Sequence, residues 1–416
     1  MANVDQRRIN NQYSDFTSAR EAARMLDVKP STLYAYVSRG LLRSIDAPRG
    51  RARLYSVIDL RRLRARRDAR RGHTAVAATA LDWGAPVLDS AITRIDSAGP
   101  FYRGRSALEL ARSGSTFEEV AELLWEGKAS WVVDREAARV QARLGKLVQE
   151  PMSLLARLTA FVSARGLCDG KRMAHTPEVE RDRAARLLYG MTSVLGEPTA
   201  GTRSERPRLA ELTCRAFGIR SGARECAAVD QMLVLCADHE LNVSTFAVRV
   251  TASGGADMYS CLTAGLSALS GVHHGGQCDR IELFAESCRG GNSQKAAEQH
   301  VRARLAAGEA VPGFGQPLYP DGDPRGRWLL ARARELAPRA PRVQTLFGVV
   351  AAMSGMGRRD PTLDMGLCAL SGALGLPLGA ASAIFALGRV AGWVAHALEQ
   401  RTRPVLLRPR ARYVGP

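Results

Sequence analysis

The stretch DHELNVSTFAVRVTASGGADMYSCLTAGLSALSGVHHGG, residues 238–276, is mostly apolar but contains three of the seven histidines of the chain: His239, His273 and His274. His239 follows an apolar run with helical spacing, and the other two follow a second such run. The pair Gly275–Gly276 allows a tight turn and a close approach of the backbone to a ligand. A histidine beside such a turn can face a pocket, but it can also be a structural residue that packs or caps. The residues alone leave both interpretations open.

The sequence of this stretch is similar to that of a known protein family. Residues 238–276 resemble the centre of a citrate synthase, because the run HELNVSTFAVRVTAS and the turn VHHGG follow that family's usual pattern. The resemblance covers roughly residues 83–416 and implies a mainly α fold with a large and a small helical domain, the small-domain portion being roughly residues 275–370. The other matching segments, in order, are residues 102–127; Val311–Gly315 followed by Asp323, Pro324 and Arg325; Thr362–Asp364; and Gly388–Trp393, which runs on to Arg408–Arg410.

Composition defines the broad class of the protein. A chain of 416 residues with 46% hydrophobic residues is long enough for two or three domains and a large core. Its eight cysteines are scattered without a C-x-x-C pair, which argues against a zinc site or a disulfide framework and fits free thiols in a reducing cytoplasm. The first thirty residues lack the apolar core of a signal peptide. We therefore expect a cytoplasmic protein without a metal centre.

One uncharged run, Met365–Gly388, has the length of a membrane span. Pro377 and its neighbouring glycines interrupt the run, and Asp364 and Arg389 bracket it. We therefore predict two buried helices joined by a turn, and no association with a membrane.

Positive charge is concentrated near the N-terminus. The chain has a net charge of +18, and residues 39–71 contain twelve arginines against three aspartates, a net charge of +9. Such a run is often only a solvated face. It occurs here within a recognisable pattern, since Ser18 and Glu21 form a capping box before one helix, the turn DVKP follows, and a second helix, STLYAYVSRG, ends at Gly40.

A candidate wing follows these two helices. The segment LLRSIDAPRGRARLYS indicates two strands with a tip at Pro48–Gly50, and Ser56 and Asp59 are placed to cap an arginine-rich helix, Val57–Arg71. Residues 1–71 thus resemble a winged helix–turn–helix domain of the MerR/excisionase type.

This resemblance implies that residues 17–71 bind duplex DNA, with helix Ser31–Arg39 in the major groove and the wing against phosphates. The alternative is a small helical appendage that holds a protein partner. The candidate DNA contacts are Ser31, Thr32, Tyr34 and Arg39 on the helix and Arg49, Arg51 and Arg53 on the wing.

The remainder of the chain has a predominantly helical pattern. Residues 72–86 are small and weakly patterned and indicate a linker, and residues 87–416 form the citrate synthase-like body. A capping box, Thr116–Glu119, begins one of its helices. The polar segments 289–299 and 318–327 are interpreted as connections. No Gly-rich phosphate loop appears.

The resemblance implies the chemistry of a Claisen-type condensation between an acyl-CoA and oxaloacetate, the citrate-forming type of reaction of the tricarboxylic acid cycle. Such a reaction needs a base for the methyl group, a donor for the enolate oxygen and cations for the carboxylates. Asp364 falls on the base and His274 on the donor to the thioester oxygen. Acyl-CoA is then a substrate, and no cofactor is implied. The residues that fall on the dicarboxylate are His239, Arg325, Arg389 and Arg408, the last of which is lent by the partner subunit of a homodimer.

These assignments have structural alternatives. Asp364 could be the N-cap of the helix that follows it, and Arg389, within an apolar helix, could pair with an acid. The loop that resembles the adenine-recognition loop for coenzyme A, which acts through its backbone, is formed by Val311, Pro312, Gly313, Phe314 and Gly315.

One position departs from the family pattern. The family usually has V-P-G-[FY]-G-H, with the histidine facing the ketone of oxaloacetate, whereas this chain has Gln316 at that position. A glutamine amide can donate a hydrogen bond to the ketone, but it cannot carry a positive charge or act as a general acid. Loss of a positioned acid or donor typically lowers a rate by about a hundred- to ten-thousandfold.

Two classes of function follow from these observations. The first is a synthase that uses acetyl-CoA or propionyl-CoA, two substrates that the sequence does not separate. The second is a ligand-sensing, DNA-binding regulator built on a degenerate enzyme body. The retained histidines, arginines and Asp364 favour the first, and Gln316 with the basic N-terminal segment favours the second.

Overall fold

In the computed structural model, the described residues are 16–38, 41–46, 52–57, 59–60, 63, 88–134, 136–147, 152–196, 207–219, 222–288, 293–316, 318–319, 322–357, 360–403, 405–409, 413 and 415. Contacts divide the chain into two units, namely Met1–Ser90 with Arg302–Val311, and Ala91–Val301 with Pro312–Pro416. The predicted linker, residues 72–86, lies outside the described residues.

The N-terminal part of the first unit contains two helices and a three-stranded antiparallel sheet in which the third strand lies between the other two. The helix–turn–helix prediction is confirmed. The two predicted wing strands pair with each other, and the second of them also pairs with an additional strand that precedes the first helix. These elements are β1 (Phe16–Ser18), α1 (Ala19–Leu26), α2 (Pro30–Ser38), β2 (Ser44–Asp46) and β3 (Arg53–Ser56). They enclose a small core of Ala22, Ala23, Leu26, Leu33, Leu42, Tyr55 and Leu60.

The helix N-caps of this N-terminal part agree with the prediction only in part. Ser18 accepts a hydrogen bond from the amide of Glu21 at 3.3 Å, but the Glu21 carboxylate binds Arg24, so only half of the predicted capping box forms. Ser56 accepts the amide of Asp59 at 3.4 Å, as predicted for a cap. The Asp59 carboxylate binds Arg43 at 2.8 Å. Most of the predicted helix Val57–Arg71 lies outside the described residues.

The rest of the chain is mainly α-helical, as predicted, and begins with a small antiparallel sheet. The strands are β4 (Thr93–Asp96), β5 (Gly99–Tyr102) and β6 (Arg105–Ser106). The helices are α3 (Ala107–Arg112), α4 (Phe117–Trp125), α5 (Ala137–Leu147), α6 (Leu154–Leu167), α7 (Pro177–Ser193), α8 (Leu209–Ala216), α9 (Ala223–Cys236), α10 (Val243–Ser253), α11 (Met258–Leu269), α12 (Gly276–Ser287), α13 (Ser293–Ala306), α14 (Pro324–Leu336), α15 (Pro341–Gly355), α16 (Leu363–Ala373) and α17 (Ala380–Arg401).

Two segments interpreted as connections contain helix. α13 begins at Ser293, inside the segment 289–299, and α14 begins at Pro324, inside the segment 318–327. In α13 the buried residues Ala297 and Val301 are four positions apart, which is helical spacing in a polar sequence. The prediction was wrong there because a polar sequence was interpreted to mean that no side of the segment packs against the rest of the protein.

α17 lies at the centre of the helical body and contacts α9, α10, α11 and α4 among others. Its length and composition would allow this helix to cross a membrane. However, 94% of its apolar 18-residue segment is buried inside the protein, as expected for a core helix. The turn between α16 and α17 contains Pro377 and ends at Gly379, whose φ of 83° is left-handed. The prediction of two buried helices joined by a turn is confirmed.

α14 and α16 cross at very short range. A Cβ atom on Gly326 of α14 would lie 2.2 Å from the carbonyl oxygen of Thr362, just before α16. A Cβ on Gly366 of α16 would lie 2.7 Å from the carbonyl oxygen of Gly326. Backbone therefore packs against backbone, and neither position has space for a side chain.

We expect Gly326→Ala to lower the free energy of unfolding by about 2 kcal/mol or more, because the added methyl group must displace main chain and not a flexible side chain. Gly355→Ala is the matched control, since nothing lies within 4 Å of a Cβ at that helical position. It should leave stability unchanged or raise it slightly. Urea unfolding followed by circular dichroism measures both, and equal stability of the two variants would contradict the crossing.

Candidate active site

The C-terminus of α9 holds two buried arginines. Arg325 Nη1 donates to the carbonyl of Leu235 at 3.3 Å, and Arg389 Nε donates to the carbonyl of Cys236 at 2.7 Å. The last carbonyls of a helix have no partner within the helix and carry partial negative charge, so they attract cations. Arg325 comes from α14 and Arg389 from α17, and α9 thus brings together two residues that are far apart in sequence.

Arg325 has a carboxylate partner. Asp323, the N-cap of α14, accepts the amide and the guanidinium of Arg325, with the shortest contact to Nη2 at 2.7 Å. Both side chains are at most 2% exposed. Burial by itself would lower the pKa of Arg325, but the charge and hydrogen bonds of Asp323 raise it above its ordinary value. Arg325 therefore remains a fixed cation.

Arg389 has no such partner among the described residues. Its guanidinium stacks on the ring of Phe385 at 4.7 Å, and its Nη1 is buried without a hydrogen bond. Burial lowers its pKa from the ordinary value, and the charge of Asp238 opposes this shift. The hypothesis that Arg389 pairs with an acid is wrong within the described part of the chain. A buried guanidinium with a free nitrogen is suited to an anionic ligand.

His239 follows α9 and faces the same region. Its Nε2 lies 2.9 Å from the hydroxyl of Tyr319, and only 8% of the residue is exposed. Burial lowers the pKa of His239 well below 6.5, and the charges of Arg325 and Arg389 lower it further. His239 is therefore neutral at neutral pH and can act as a hydrogen-bond donor without a net charge.

His274 lies at the glycine turn before α12. Its Nε2 is 2.8 Å from the hydroxyl of Ser244 in α10, and its ring meets Phe385 edge-on. The Ser244 oxygen also accepts the indole N–H of Trp393 at 3.3 Å. Burial lowers the pKa of His274 to about 4, with a contribution from the charge of Arg389. This histidine is also neutral at neutral pH.

Asp364 lies in the first turn of α16. Thr362, and not Asp364, occupies the N-cap position, so the N-cap alternative is wrong. The Thr362 hydroxyl donates to Oδ2 at 3.2 Å, and the Cys278 thiol of α12 donates to Oδ1 at 3.5 Å. Burial raises the pKa of Asp364, and these two hydrogen bonds oppose the rise. A carboxylate with a raised pKa is a stronger base than one in water.

The loop Val311–Gly315 is tied to the start of α16. Phe314 forms a β-bridge with Pro361, and the carbonyl of Gly313 accepts the amide of Thr362 at 2.9 Å. Gly313 has a φ of 89°, and a Cβ there would lie 2.6 Å from the methyl group of Met365. Val311, Pro312 and Gly313 are buried, whereas Phe314 and Gly315 are partly exposed.

Gln316 follows this loop. Its carbonyl accepts the amide of Tyr319 at 3.1 Å, in the turn that places the Tyr319 hydroxyl against His239. The side-chain oxygen Oε1 of Gln316 is buried without a hydrogen-bond partner in the described structure. An unpartnered buried amide oxygen is costly, and a 180° turn of the amide group places its N–H donors at the same position.

Arg408 does not join the other candidates within its own chain. It is exposed in the C-terminal segment, where the amide of the preceding Leu407 donates to Ser253 at 3.1 Å. Ser253 and Ser244 are nine residues apart on α10, about 13 Å along the axis. The structure therefore brings together His239, His274, Arg325, Arg389 and Asp364, but not Arg408.

Sequence reasoning missed the residues that hold these side chains. Ser244 and Asp323 lie inside segments quoted for the resemblance, so their proximity to the site had a local signal. Tyr319 was taken for part of a polar connection, and Cys278 for one of several scattered thiols. No group of three or more histidine, cysteine or acidic side chains within the described ranges could hold a metal ion.

The comparison with family models decides the family. A model described as "Citrate synthase, C-terminal domain" matches residues 80–410. The chain belongs to the citrate synthase family. A second model, "Helix-turn-helix domain", matches residues 18–68.

Individual citrate synthases show the same relationship. The chain is 30% identical over 360 residues to citrate synthase of Haloferax volcanii, covering 80% of this chain and 94% of that one. It is 29% identical over 341 residues to 2-methylcitrate synthase of Mycobacterium tuberculosis, covering 76% and 84%. A structure of the Thermoplasma acidophilum citrate synthase in a ternary complex with carboxymethyl coenzyme A and oxaloacetate superposes with a TM-score of 0.67 at 27% identity, covering 80% of this chain and 94% of that chain.

The predicted DNA contacts are only partly described. On α2, Ser31 and Tyr34 are exposed, the latter by 59%, and Thr32 is partly exposed. On β3, Arg53 is half-exposed and lies 3.7 Å from Asp46. Arg39, Arg49 and Arg51 lie outside the described residues.

Proposed function

We propose that this chain condenses acetyl-CoA or propionyl-CoA with oxaloacetate, to give a citrate-type product and free coenzyme A. The observation that carries the proposal is the buried Arg389, whose Nη1 has no hydrogen bond and whose charge acts on two neutral buried histidines, close to a second buried arginine. Such an arrangement favours a small dianion. Membership of the citrate synthase family supports the same reaction class.

The proposed reaction begins at the acyl group. Asp364 removes a proton from the carbon beside the thioester, and its raised pKa makes this transfer easier. His274 donates to the enolate oxygen that forms. For this, the ring proton must be on Nδ1, and the Ser244 hydroxyl, which donates to Asn242 Oδ1 at 2.7 Å in this structure, must turn to donate a hydrogen bond to His274 Nε2. The enolate carbon then attacks the ketone carbon, and water cleaves the thioester to release coenzyme A.

The keto acid is held by the cationic end of the site. Arg325 and Arg389 bind its carboxylates, Arg408 of the partner subunit completes the set, and His239 donates to its oxygens. Gln316 donates its amide N–H to the ketone. An amide cannot transfer a proton, so the alkoxide formed on attack is less stabilised than with a histidine.

Two further elements belong to the proposal. The backbone of Val311, Pro312, Gly313, Phe314 and Gly315 recognises the adenine of coenzyme A, supported by the rigid attachment of this loop to α16. The cytoplasm is the expected compartment, since all eight cysteines are free thiols.

We expect Gln316→His to raise turnover by about one to three orders of magnitude, because it restores a group that can protonate the ketone oxygen. The KM for oxaloacetate should change less, since the arginines bind its carboxylates. Asp364→Asn should abolish turnover in both backgrounds. Steady-state kinetics of coenzyme A release measures all four proteins, and Asp364→Asn is the matched isosteric control. Undiminished turnover of Asp364→Asn would contradict the assignment of the base.

A homodimer is part of the proposal because Arg408 is exposed in the C-terminal segment and has no hydrogen bond or ion pair with the other candidates in the described structure. One face of α10 supports a subunit contact: Val243 and Val250 are exposed by 66% and 36%, and Phe246 and Ala247 between them are partly exposed. These apolar residues recur at helical spacing on a single stripe. Ser253, which holds the segment of Arg408, ends the same helix.

Subunit complementation tests the sharing of Arg408. Arg408→Ala and Asp364→Asn should each be inactive alone, but a mixed dimer contains one site with Asp364 from one subunit and Arg408 from the other. Random mixing of equal amounts should restore about a quarter of the parent activity, since half of the dimers are mixed and each has one intact site. If Arg408 serves the site of its own chain, mixing restores nothing. Mixing Arg408→Ala with itself is the control.

The second candidate function is a ligand-sensing, DNA-binding regulator. The helix–turn–helix unit with its exposed Ser31 and Tyr34 favours it, together with Gln316 at the position of a general acid. In this case oxaloacetate or coenzyme A raises the melting temperature of the protein without turnover.

Binding of duplex DNA through residues 17–71 should weaken steeply as salt rises, because arginines displace counterions from phosphates. Charge reversal of Arg49, Arg51 and Arg53 to Glu should weaken binding several-fold or more and leave ligand-induced melting shifts unchanged. Reversal of Arg112 and Arg139, which are exposed in the helical body, is the control and should have little effect. Fluorescence anisotropy at several salt concentrations measures this, and salt-independent binding would favour the appendage interpretation.

A further inference from the structure

Two donors from different parts of the chain hold the carboxylate of Asp364. Thr362, which donates to Oδ2, immediately precedes α16, the helix of Asp364 itself. Cys278, which donates to Oδ1, lies in the first turn of α12, four residues after His274. The thiol therefore links the carboxylate directly to the helix that follows the histidine turn.

We propose that Cys278 is a positioning residue for Asp364, whose thiol fixes the orientation of the carboxylate toward the acyl group while withdrawing little of its charge. A thiol is a weak donor and forms a long hydrogen bond, at 3.5 Å in this case. A hydroxyl or amide donor would bind the carboxylate more strongly and make it a weaker base. The inference rests on the condensation proposed above, since it concerns the base of that reaction.

The thiol is protonated under all working conditions. The contact with the Cys368 thiol and burial hold the pKa of Cys278 well above 9. Cys368 lies one helical turn after Asp364 on α16, and its thiol donates to the carbonyl of Cys278 at 3.5 Å. The helix of Asp364 therefore contacts Cys278 at both the thiol and the backbone carbonyl.

The other titratable groups around Asp364 are few. Asp323, before α14, raises the pKa of Asp364 by its negative charge. Cys236 of α9 and Cys368 of α16 interact with the same carboxylate. Neither cysteine donates a hydrogen bond to it in the described structure. Cys278 is therefore the residue of another helix whose replacement removes a hydrogen bond to the Asp364 carboxylate.

Two substitutions separate hydrogen bonding from packing. Cys278→Ala removes the donor, so the apparent pKa on the acid limb of the kcat/KM profile should rise by about half a unit. Cys278→Ser keeps a donor and strengthens it, so the same pKa should fall. Turnover should decrease in both variants. In Cys278→Ala the Asp364 carboxylate loses its fixed orientation, and in Cys278→Ser it becomes a weaker base. Cys288→Ala and Cys288→Ser, at a buried cysteine that ends α12, are the matched controls and should leave the profile unchanged.

Opposite shifts for alanine and serine support the proposal, because a loss of packing alone would not reverse sign. Shifts in the same direction, or unchanged profiles in an active parent, overturn it and leave the condensation itself intact. If the parent has no turnover, the condensation fails, and the hydrogen bond is then tested by stability.

The stability test follows from the sign of the pKa shift. When folding raises the pKa of a carboxyl group, the folded state loses stability as the pH rises from the pKa of the unfolded protein through the pKa of the folded protein. Cys278→Ala should therefore lower the melting temperature more at pH 8 than at pH 4, and Cys278→Ser less at pH 8 than at pH 4. In an Asp364→Asn background the pH dependence of both effects should vanish. Effects that persist there would show that Cys278 only fills space, and the inference would fall.

Discussion

The end of α9 is the constraint on which the site depends. Its last carbonyls, from residues 234 to 237, each accept a hydrogen bond from elsewhere in the chain. The donors are Tyr102 of β5, Arg325 of α14, and Arg389 and the amide of Gly392 in α17. Unpaired carbonyls at a buried helix end would be costly, so the need to satisfy them holds two guanidinium groups in place.

The electrostatics of the site follow from those two cations. Arg325 is paired with Asp323, whereas the guanidinium of Arg389 has no ion-pair partner among the described residues and keeps a nitrogen without a hydrogen bond. Burial and the charge of Arg389 keep His239 and His274 neutral. Asp364 is desolvated and also influenced by Asp323, so its pKa rises instead of falling. The same region therefore combines buried guanidinium groups, neutral imidazoles and a carboxylate with a raised pKa.

The helices and the candidate residues could be predicted from the sequence because periodicity, caps and the quoted motifs are local signals. The Thr116–Glu119 box and the break at Pro377 needed no knowledge of distant residues. The contacts of Tyr319 with His239 and of Cys278 with Asp364 span 80 and 86 residues, so no local pattern could indicate them. That Arg389 has no ion-pair partner among the described residues was equally unpredictable, because it depends on what surrounds the residue in space.

The contact of Gly326 with the carbonyl of Thr362 has a stereochemical consequence. Arg325 precedes this glycine and Asp364 follows that threonine by two residues, so a main-chain contact sets the separation between an anchor for the keto acid and the base. In the proposed reaction, the prochiral face of the ketone that the nucleophile reaches is then determined by backbone. Substitution of surrounding side chains would change the rate of product formation before it changed which face of the ketone is attacked.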